Sequence, residues 1–311
     1  MNLLNNKIIV ILGPTASGKS DVAIQLAKKF NGEIISADSR QIYRHMDIGS
    51  GKITKEEQQI IPHYMLDIVS PKTEFNVAKF KNKTQKIIKD ILRRKKIPII
   101  CGGTGFWIKA IIDDVDFPQV KPNPVLRNML SDKTTEELFK KLKKLDPARA
   151  KNIDAKNKVR LIRAIEICKA IGKVPNLNHK SKIMNYAFLQ IGIARDKEEL
   201  NERIRKNVEK RFENGMIQEV IDLHEKHKLS WKKIKSFGLS YSIIPYFLKG
   251  DISSEEELKE KIYLAEKNYA KRQRTWFARD KKIIWLRPEP TGSGIKNYKN
   301  IEEEVIKFLE K

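Results

Sequence analysis

The chain has 311 residues, of which 40% are hydrophobic and 33% charged, a balance that indicates a folded globular protein and excludes a disordered chain. Its net charge of +24 predicts an anionic partner such as nucleic acid, a polyphosphate or a membrane surface, although a lysine-rich surface without a partner is the alternative. The two cysteines, Cys101 and Cys168, are too few for a disulfide framework, and no apolar run approaches the ~20 residues of a membrane helix. We expect a reduced, cytoplasmic monomer without membrane association.

Strand-like and helix-like segments alternate over the first third of the chain. Apolar, β-branched runs predict three strands, which are Lys7–Leu12, Glu33–Ser36 and Ile97–Cys101. Apolar residues at helical spacing predict the helices that follow them, which are Lys19–Phe30, Phe75–Lys95 and Phe106–Ile112. Strands that alternate with helices are typical of a parallel sheet, so we predict an α/β fold.

The pattern changes after residue 115. Three prolines within Phe117–Pro124 interrupt regular structure and indicate a boundary, after which Thr134–Ile171 favours basic helices. A strand, two helical stretches and a last strand are then predicted at Ala187–Ala194, Lys197–Lys228, Ser254–Arg279 and Ile283–Leu286. We therefore predict a core of residues 1–115 and 186–311 with a helical insertion domain of residues 116–185.

The first predicted strand leads directly into the sequence G-P-T-A-S-G-K-S, which matches the phosphate-loop pattern G-x-x-x-x-G-K-[ST]. Glycines allow such a loop to surround a phosphate with backbone N–H groups, and the helix that follows adds the positive end of its dipole. Lys19 supplies a charge for the phosphate oxygens, and the Ser20 hydroxyl suits a Mg²⁺ ligand. The predicted diphosphate-binding residues are Gly13, Pro14, Thr15, Ala16, Ser17, Gly18, Lys19 and Ser20. A P-loop NTPase-like core is thus predicted, and a structural glycine turn is the alternative.

Polar residues follow the second and third predicted strands, at the edge of the sheet where the phosphate loop should open. The Asp38 carboxylate can accept a proton from an attacking nucleophile, although it can also simply cap a turn. Arg40 and Gln41 are candidates for hydrogen bonds to a base or a phosphate, and Tyr43 for stacking on a base or for core packing. Gly102-Gly103-Thr104 permits close approach of a ligand to a hydroxyl, and a tight turn is the alternative.

Two later segments carry basic residues in patterns that suit RNA. Arg160 and Arg163 share one helix face and are candidates for phosphate contacts, with a solvated basic face as the alternative. The segment Lys261–Arg279 interleaves Lys and Arg with Trp276 and Phe277, which favours RNA binding or an amphipathic core helix.

These motifs occur together in a recognisable order. After the phosphate loop come D-S-R-Q-I-Y at 38–43, D-I-G-S-G-K at 47–52, G-G-T-G-F at 102–106, R-L-I-R-A-I-E-I at 160–167 and A-K-R-Q-R-T-W-F-A-R at 270–279. From Gly13 to Trp285 the chain resembles the bacterial tRNA dimethylallyltransferases, also called tRNA isopentenyltransferases. The joint match is specific, whereas the phosphate loop alone is not.

The resemblance implies transfer of a dimethylallyl group from dimethylallyl diphosphate to the exocyclic amine of adenosine 37 of tRNA, with Mg²⁺ assisting and diphosphate leaving. It implies catalytic roles for Lys19, for Asp38 as general base and for Thr104. It also implies that the insertion grips the anticodon stem-loop. The tRNA-contacting residues by this resemblance are Asp38, Ser39, Arg40, Gln41, Thr104, Arg127, Val159, Arg160, Leu161, Ile162 and Arg163.

The chain departs from the family pattern at two places. The family arginine one turn after Arg203-Ile204 is replaced by Asn207, for which Arg205 or Arg211 is a candidate substitute. The aromatic residue that usually follows the glycine at position 238 is replaced by leucine.

Two other functions are compatible with part of this pattern. A P-loop small-molecule or nucleoside kinase would explain the nucleotide-binding loop and Asp38, but neither the insertion nor the charge. A non-catalytic RNA-binding module with a relic nucleotide site is disfavoured because Lys19, Ser20, Asp38 and Thr104 are all intact.

Overall fold

Six parallel strands form one sheet in the computed structural model, which describes residues 6–175, 186–288 and 298–311. The strands are β1 (Lys7–Leu12), β2 (Gly32–Ser36), β3 (His63–Tyr64), β4 (Ile97–Gly102), β5 (Ala187–Ile193) and β6 (Ile284–Leu286). Their order is β3-β2-β4-β1-β5-β6, and every pairing is parallel. The predicted parallel α/β fold is confirmed, whereas the two-residue edge strand β3 is too short for a sequence pattern to show.

Helices alternate with these strands. In chain order they are α1 (Lys19–Lys29), α2 (Lys55–Ile60), α3 (Val77–Arg93), α4 (Gly105–Ile112), α5 (Pro124–Ser131), α6 (Thr135–Leu145), α7 (Pro147–Lys151), α8 (Lys158–Ile171), α9 (Lys197–Glu213), α10 (Met216–Glu225), α11 (Trp231–Lys235), α12 (Ser240–Phe247), α13 (Glu255–Phe277) and α14 (Lys299–Glu310). Across the ranges that the structure describes, no helix is long and apolar enough to cross a membrane.

The chain divides into a larger unit, Met1–Ile112 with Met184–Lys311, and a smaller unit, Asp113–Ile183. The sheet lies in the larger unit, and helices α5–α8 form the smaller one. The C-terminal boundary predicted for the insertion, at 185/186, borders residues 176–185, which lie outside the described residues.

Both faces of the sheet are buried, as strand β1 shows. Ile8, Val10 and Leu12 belong to one apolar cluster, whereas Ile9 and Ile11 belong to a second cluster. Successive side chains of a strand point to opposite faces, so a strand covered on both sides needs an unbroken apolar run. This requirement explains why β1 was predicted with its observed bounds.

The predicted helical stretch Lys197–Lys228 is wrong as a single element, because the structure divides it into α9 and α10. Gly215 adopts a left-handed conformation with φ 88° between the two helices, and the amide of Asn214 closes the first one. A glycine tolerates this backbone geometry, which favours a helix end at this point.

The smaller unit has its own apolar core beneath α5, α6 and α8. Its buried residues include Leu126, Leu130, Leu138, Leu142, Leu161 and Ile165. The proline-rich segment before it ends in a helix start, since Asn123 caps α5 and Pro124 is its first residue. Proline suits this position because its missing N–H would have had no helical partner there.

Candidate active site

The phosphate loop connects the end of β1 to the start of α1. Gly18 caps α1 in a left-handed conformation with φ 89°, and Ala16 also has a positive φ of 61°. The Lys19 ammonium donates a hydrogen bond to the Pro14 carbonyl oxygen at 3.1 Å, which holds the side chain back over the loop. Burial lowers the pKa of Lys19, and the nearby Asp38 carboxylate opposes that shift.

A cavity of about 550 Å³ lies at the carboxyl ends of β1, β2 and β4. Its lining brings together the predicted residues Lys19, Ser20 and Asp38. Within the described part of the chain, five cationic and three anionic side chains line it, which are Lys19, Arg40, Arg203, Arg211 and Arg272 against Asp21, Asp38 and Glu266. The excess of positive charge in a partly desolvated cavity favours an anionic ligand.

Asp38 both caps a turn and faces this cavity. Its Oδ1 atom accepts hydrogen bonds from the backbone N–H groups of Arg40 at 2.8 Å and Gln41 at 3.4 Å. The turn-capping contacts are therefore observed, and they leave a role as proton acceptor open, because the residue also lines the cavity. The same turn is held from the other side, where the Thr104 hydroxyl accepts a hydrogen bond from the Ser39 N–H at 3.2 Å.

Thr104 is not among the residues that line the cavity. The Thr104 hydroxyl lies close to Tyr269, whose pKa is raised to about 12 by burial and by the charge of Asp38. Tyr269 itself lines the cavity, but the sequence pattern gave no signal for it. The structure thus joins Asp38 and Thr104 through their shared neighbours Ser39 and Tyr269.

The side-chain amide of Gln273 links the phosphate loop to the loop after β4. Its Oε1 accepts a hydrogen bond from the Thr15 N–H at 2.8 Å, and its Nε2 donates one to the Gly103 carbonyl at 2.9 Å. A methyl group at position 103 would come within 2.3 Å of that Nε2 atom, so a larger residue there would displace the bridging amide. This part of α13 is therefore core at Gln273 and Phe277, while its Lys and Arg residues are mostly exposed.

One carboxylate holds the rim segment Asp47–Gly51 of the cavity. Glu219 accepts hydrogen bonds from three consecutive backbone N–H groups, those of residues 47, 48 and 49, at 2.7, 2.7 and 3.0 Å, and from the Tyr241 hydroxyl at 2.8 Å. Lys52, at the end of the same motif, binds Asp47 and is 2% exposed. The conspicuous motif at 47–52 thus shapes the rim through backbone and ion-pair contacts.

Helix α9 also presents a row of side chains to the cavity, and the sequence did not predict this row. Arg203, Asn207 and Arg211 recur every fourth residue and all line the cavity. Arg203 Nε donates to the Ala16 carbonyl at 2.7 Å, and Arg195, before the helix, donates to the Ser17 carbonyl at 3.1 Å. The four-residue spacing beside the buried residues of α9 was the available signal.

Two other residues adjoining the cavity have contacts that restrict their roles. The Arg40 guanidinium donates to the Phe237 carbonyl and to the Ser39 hydroxyl, so it is anchored at the wall. Tyr43 is 6% exposed and packs against Phe237, with ring centroids 5.1 Å apart. Core packing, and not base stacking, is therefore the role that the structure gives to Tyr43.

In the smaller unit, the residues that the resemblance assigned to tRNA fall into three groups. Arg127 and Arg163 both bind Glu166, which is 2% exposed, and Arg163 also donates to the Val120 carbonyl. Leu161 is completely buried and Ile162 packs against the same core, so the Leu161 side chain cannot touch tRNA in this conformation. Val159, at 77% exposure, and Arg160 face solvent.

The residues fit a metal ion only as partners of a bound phosphate. Among the residues that the structure describes, no group of three His, Cys, Asp or Glu side chains could hold a metal by itself. The Ser20 hydroxyl lies on the cavity wall beside Lys19 and close to the Cys101 thiol, whose pKa burial raises to about 11. A hard cation would take Ser20 together with phosphate and water oxygens.

The phosphate loop between a parallel strand and a helix, at the carboxyl edge of the sheet, defines a P-loop NTPase-like α/β protein. The IPP transferase family matches residues 41–280 of the chain. The tRNA dimethylallyltransferase of Thermoanaerobacter sp. (strain X514) is 41% identical over 97% of both chains, and that of Halothermothrix orenii is 42% identical over 98% of this chain and 93% of the relative. The chain therefore belongs to the IPP transferase family, the tRNA dimethylallyltransferases.

Solved structures agree with this assignment. The full-length tRNA isopentenylpyrophosphate transferase of Bacillus halodurans superposes with a TM-score of 0.72 at 31% identity, covering 98% of this chain and 97% of that one. A eukaryotic dimethylallyltransferase acting on tRNA superposes with a TM-score of 0.75 at 26% identity, covering 91% and 74%.

Proposed function

We propose that the protein transfers a dimethylallyl group from dimethylallyl diphosphate to the exocyclic amine of adenosine 37 in tRNA, next to the anticodon. The observation that carries the proposal is that Lys19 of the phosphate loop and the Asp38 carboxylate line one cavity in a chain of this family. A diphosphate site and a proton acceptor are thereby within reach of one reacting centre.

The proposed reaction is a substitution at the allylic carbon of the donor. The bond between that carbon and the diphosphate oxygen breaks, and the diphosphate leaves with the electron pair. The adenine nitrogen forms the new bond to carbon and loses a proton, which Asp38 accepts. The loop N–H groups and Lys19 stabilise the charge that develops on the diphosphate, and this lowers the barrier.

The adenine must leave its stack to reach a carbon inside the cavity, as in other enzymes that modify bases. In this proposal Arg40 and Gln41 contribute to the wall around the extruded nucleotide, and Thr104 supports that wall through Ser39. We further propose that Mg²⁺ binds with the diphosphate at Ser20. When bound, the ion would neutralise part of the diphosphate charge.

The smaller unit is proposed to contact the anticodon stem, with residues 116–185 acting as the insertion in the core. The exposed residues Val159 and Arg160 are its best candidates for direct contact. Arg127 and Arg163 would support that surface through Glu166. The net charge of +24 favours capture of an anionic RNA by a cytoplasmic monomer.

The decisive experiment is mass spectrometry of nucleosides from bulk tRNA, with and without the gene. Loss of the dimethylallyl-adenosine nucleoside in the deletion strain, and its return on complementation, is the expected result. Purified protein should also transfer label from dimethylallyl diphosphate to an anticodon stem-loop. Phosphoryl transfer from ATP to a small acceptor, without prenylation, would establish a kinase instead.

A further inference from the structure

Helix α9 directs one row of side chains into the cavity and a neighbouring row into the core. Leu200, Ile204 and Val208 form the buried row, at 3% exposure or less. The second row lines the cavity, and each of its members lies three positions after a residue of the buried row: Arg203, Asn207 and Arg211. Both rows repeat every four residues, which keeps each on its own side of the helix.

The three members of the cavity row differ in what they offer a ligand. The Arg203 Nε atom is bound to the Ala16 carbonyl and supports the loop from behind. Asn207 carries no charge. Arg211, one turn further, has a side chain that is 14% exposed and pairs through Nη1 with Glu266, which is 3% exposed.

The rest of the Arg211 guanidinium points along the cavity wall. A methyl group built on Gly51 would lie 2.7 Å from Nη2, which places that nitrogen against the rim segment. The charge of Arg211 reaches Lys19, since it adds to burial in lowering the pKa of the lysine. Arg211 and Lys19 therefore face the same space from two elements.

We propose that Arg211 binds the diphosphate of the prenyl donor and that Glu266 is the positioning residue that holds its guanidinium toward the cavity. This inference rests on the proposed function. A guanidinium has five N–H donors, so the edge that pairs with Glu266 leaves others for phosphate oxygens. Hydrogen bonds between ionised groups in a desolvated site are strong, which suits a leaving group that gains charge.

Arg205 is the natural comparison because it lies on the same helix but outside the cavity row. Its Nη1 binds Glu260 at 2.9 Å, its guanidinium stacks 4.0 Å from the centroid of the Tyr263 ring, and its side chain is 50% exposed. Of the two candidate substitutes for the missing family arginine, Arg205 and Arg211, Arg211 alone is among the residues that line the cavity.

The test measures binding of inorganic diphosphate with Mg²⁺ by calorimetry, and the KM values for dimethylallyl diphosphate and tRNA. Arg211→Met would leave the Glu266 carboxylate buried and unpaired, so the main variant is the neutral pair Arg211→Met/Glu266→Gln. We expect about 10- to 100-fold weaker diphosphate binding, a matching rise in the donor KM and a tRNA KM within about twofold of wild type. The control Arg205→Met should stay within about twofold of wild type in diphosphate affinity, in the donor KM and in the tRNA KM.

Arg211→Lys separates charge from fork geometry and keeps the partner of Glu266. It should retain more diphosphate affinity than the neutral pair, because the charge remains. Equal diphosphate affinity in wild type and the neutral pair, or a loss confined to the tRNA KM, would overturn the proposal. If wild-type protein fails to prenylate tRNA, the proposed function falls, whereas the diphosphate titration still decides the role of Arg211.

Discussion

Two buried glutamates, Glu266 in the larger unit and Glu166 in the smaller one, both pair with arginine side chains. The two sets of ion pairs differ in what they leave available to a ligand. Glu266 binds one edge of a single arginine, whose other edge faces a cavity rich in positive charge. Glu166 binds two arginines and the backbone N–H of Asn123, so its contacts close a loop onto a helix.

A basic residue in the sequence is therefore not always a charge available to a ligand. The family resemblance assigns Arg127 and Arg163 to tRNA contact, but both side chains form ion pairs with the single carboxylate of Glu166. The cavity, in contrast, keeps more cations than carboxylates on its wall. Substitutions on the two sides should therefore affect different quantities, turnover on one side and folding on the other.

The largest effect on the cavity side is expected for Lys19→Ala. Lys19 is proposed to stabilise the leaving diphosphate, so removing its charge should lower kcat/KM of prenyl transfer by about 10³-fold. Labelled dimethylallyl diphosphate and an anticodon stem-loop provide the assay. The control Lys28→Ala changes an exposed lysine of the same helix and should leave transfer unchanged. If Lys19→Ala transfers the prenyl group within tenfold of the wild-type rate, the cavity is not the site at which the charge of the diphosphate is stabilised.

Asp38→Asn is the sharper test of the proton acceptor. Asparagine keeps a side-chain oxygen to cap the turn at Arg40 but loses the basicity of the carboxylate. We expect kcat to fall by about 10²-fold while tRNA affinity stays within about twofold of wild type. Single-turnover kinetics measure the first quantity, and filter binding measures the second. Normal turnover in this variant would reduce Asp38 to a turn-capping residue.

Glu166→Gln should act on folding. Leaving two arginines without their shared carboxylate is expected to lower the free energy of unfolding by about 3 kcal/mol, measured by denaturant titration. Burial alone would raise the pKa of Glu166, but hydrogen bonds from Arg127, Asn123 and Arg163 outweigh it and lower the pKa. The stabilising effect is thus present above pH ~4.5 and lost as the pH falls further, so wild type and variant should converge in acid.

The control for that experiment is Glu136→Gln, which changes an exposed glutamate of the same unit and should alter stability by less than about 1 kcal/mol. Equal stability of Glu166→Gln and wild type at neutral pH would show that the two arginines do not depend on the carboxylate.

The smallest effect is expected for Arg160→Ala, the exposed arginine of the smaller unit. Loss of one phosphate contact should weaken tRNA binding a few-fold and reduce the salt slope of the affinity by about one. Arg127→Ala, in contrast, should lower stability more than it changes that slope. If both variants change the salt slope and the stability equally, the exposed Arg160 and the Glu166-paired Arg127 do not differ in their availability to tRNA.

The sequence predicted the sheet well because strands buried on both faces must be unbroken apolar runs. β1 was predicted with its observed bounds, and β4 and β5 to within one residue. Short helices such as α11 and α12 were missed, since five to eight residues carry too little periodicity. Pro245 inside α12 further disguised that helix.

The candidate site divides in a similar way. The phosphate loop and Asp38 were found because a local motif or a strand end marks them. Gln273, Tyr269 and Glu219 were missed because their roles depend on partners far away in the chain, as for Thr15 and Gln273, whose residue numbers differ by 258. No spacing rule reports such a contact before the fold brings the segments together.

The Gln273 bridge also bears on the order in which the protein is made. The ribosome releases the glycine-rich turn early, but the amide that fixes Thr15 emerges more than 250 residues later. Strand β5, which pairs with β1, is likewise translated after the smaller unit. A nascent chain therefore carries an incomplete phosphate loop for most of its synthesis, and Thr15 gains its bond to Gln273 only when α13 docks.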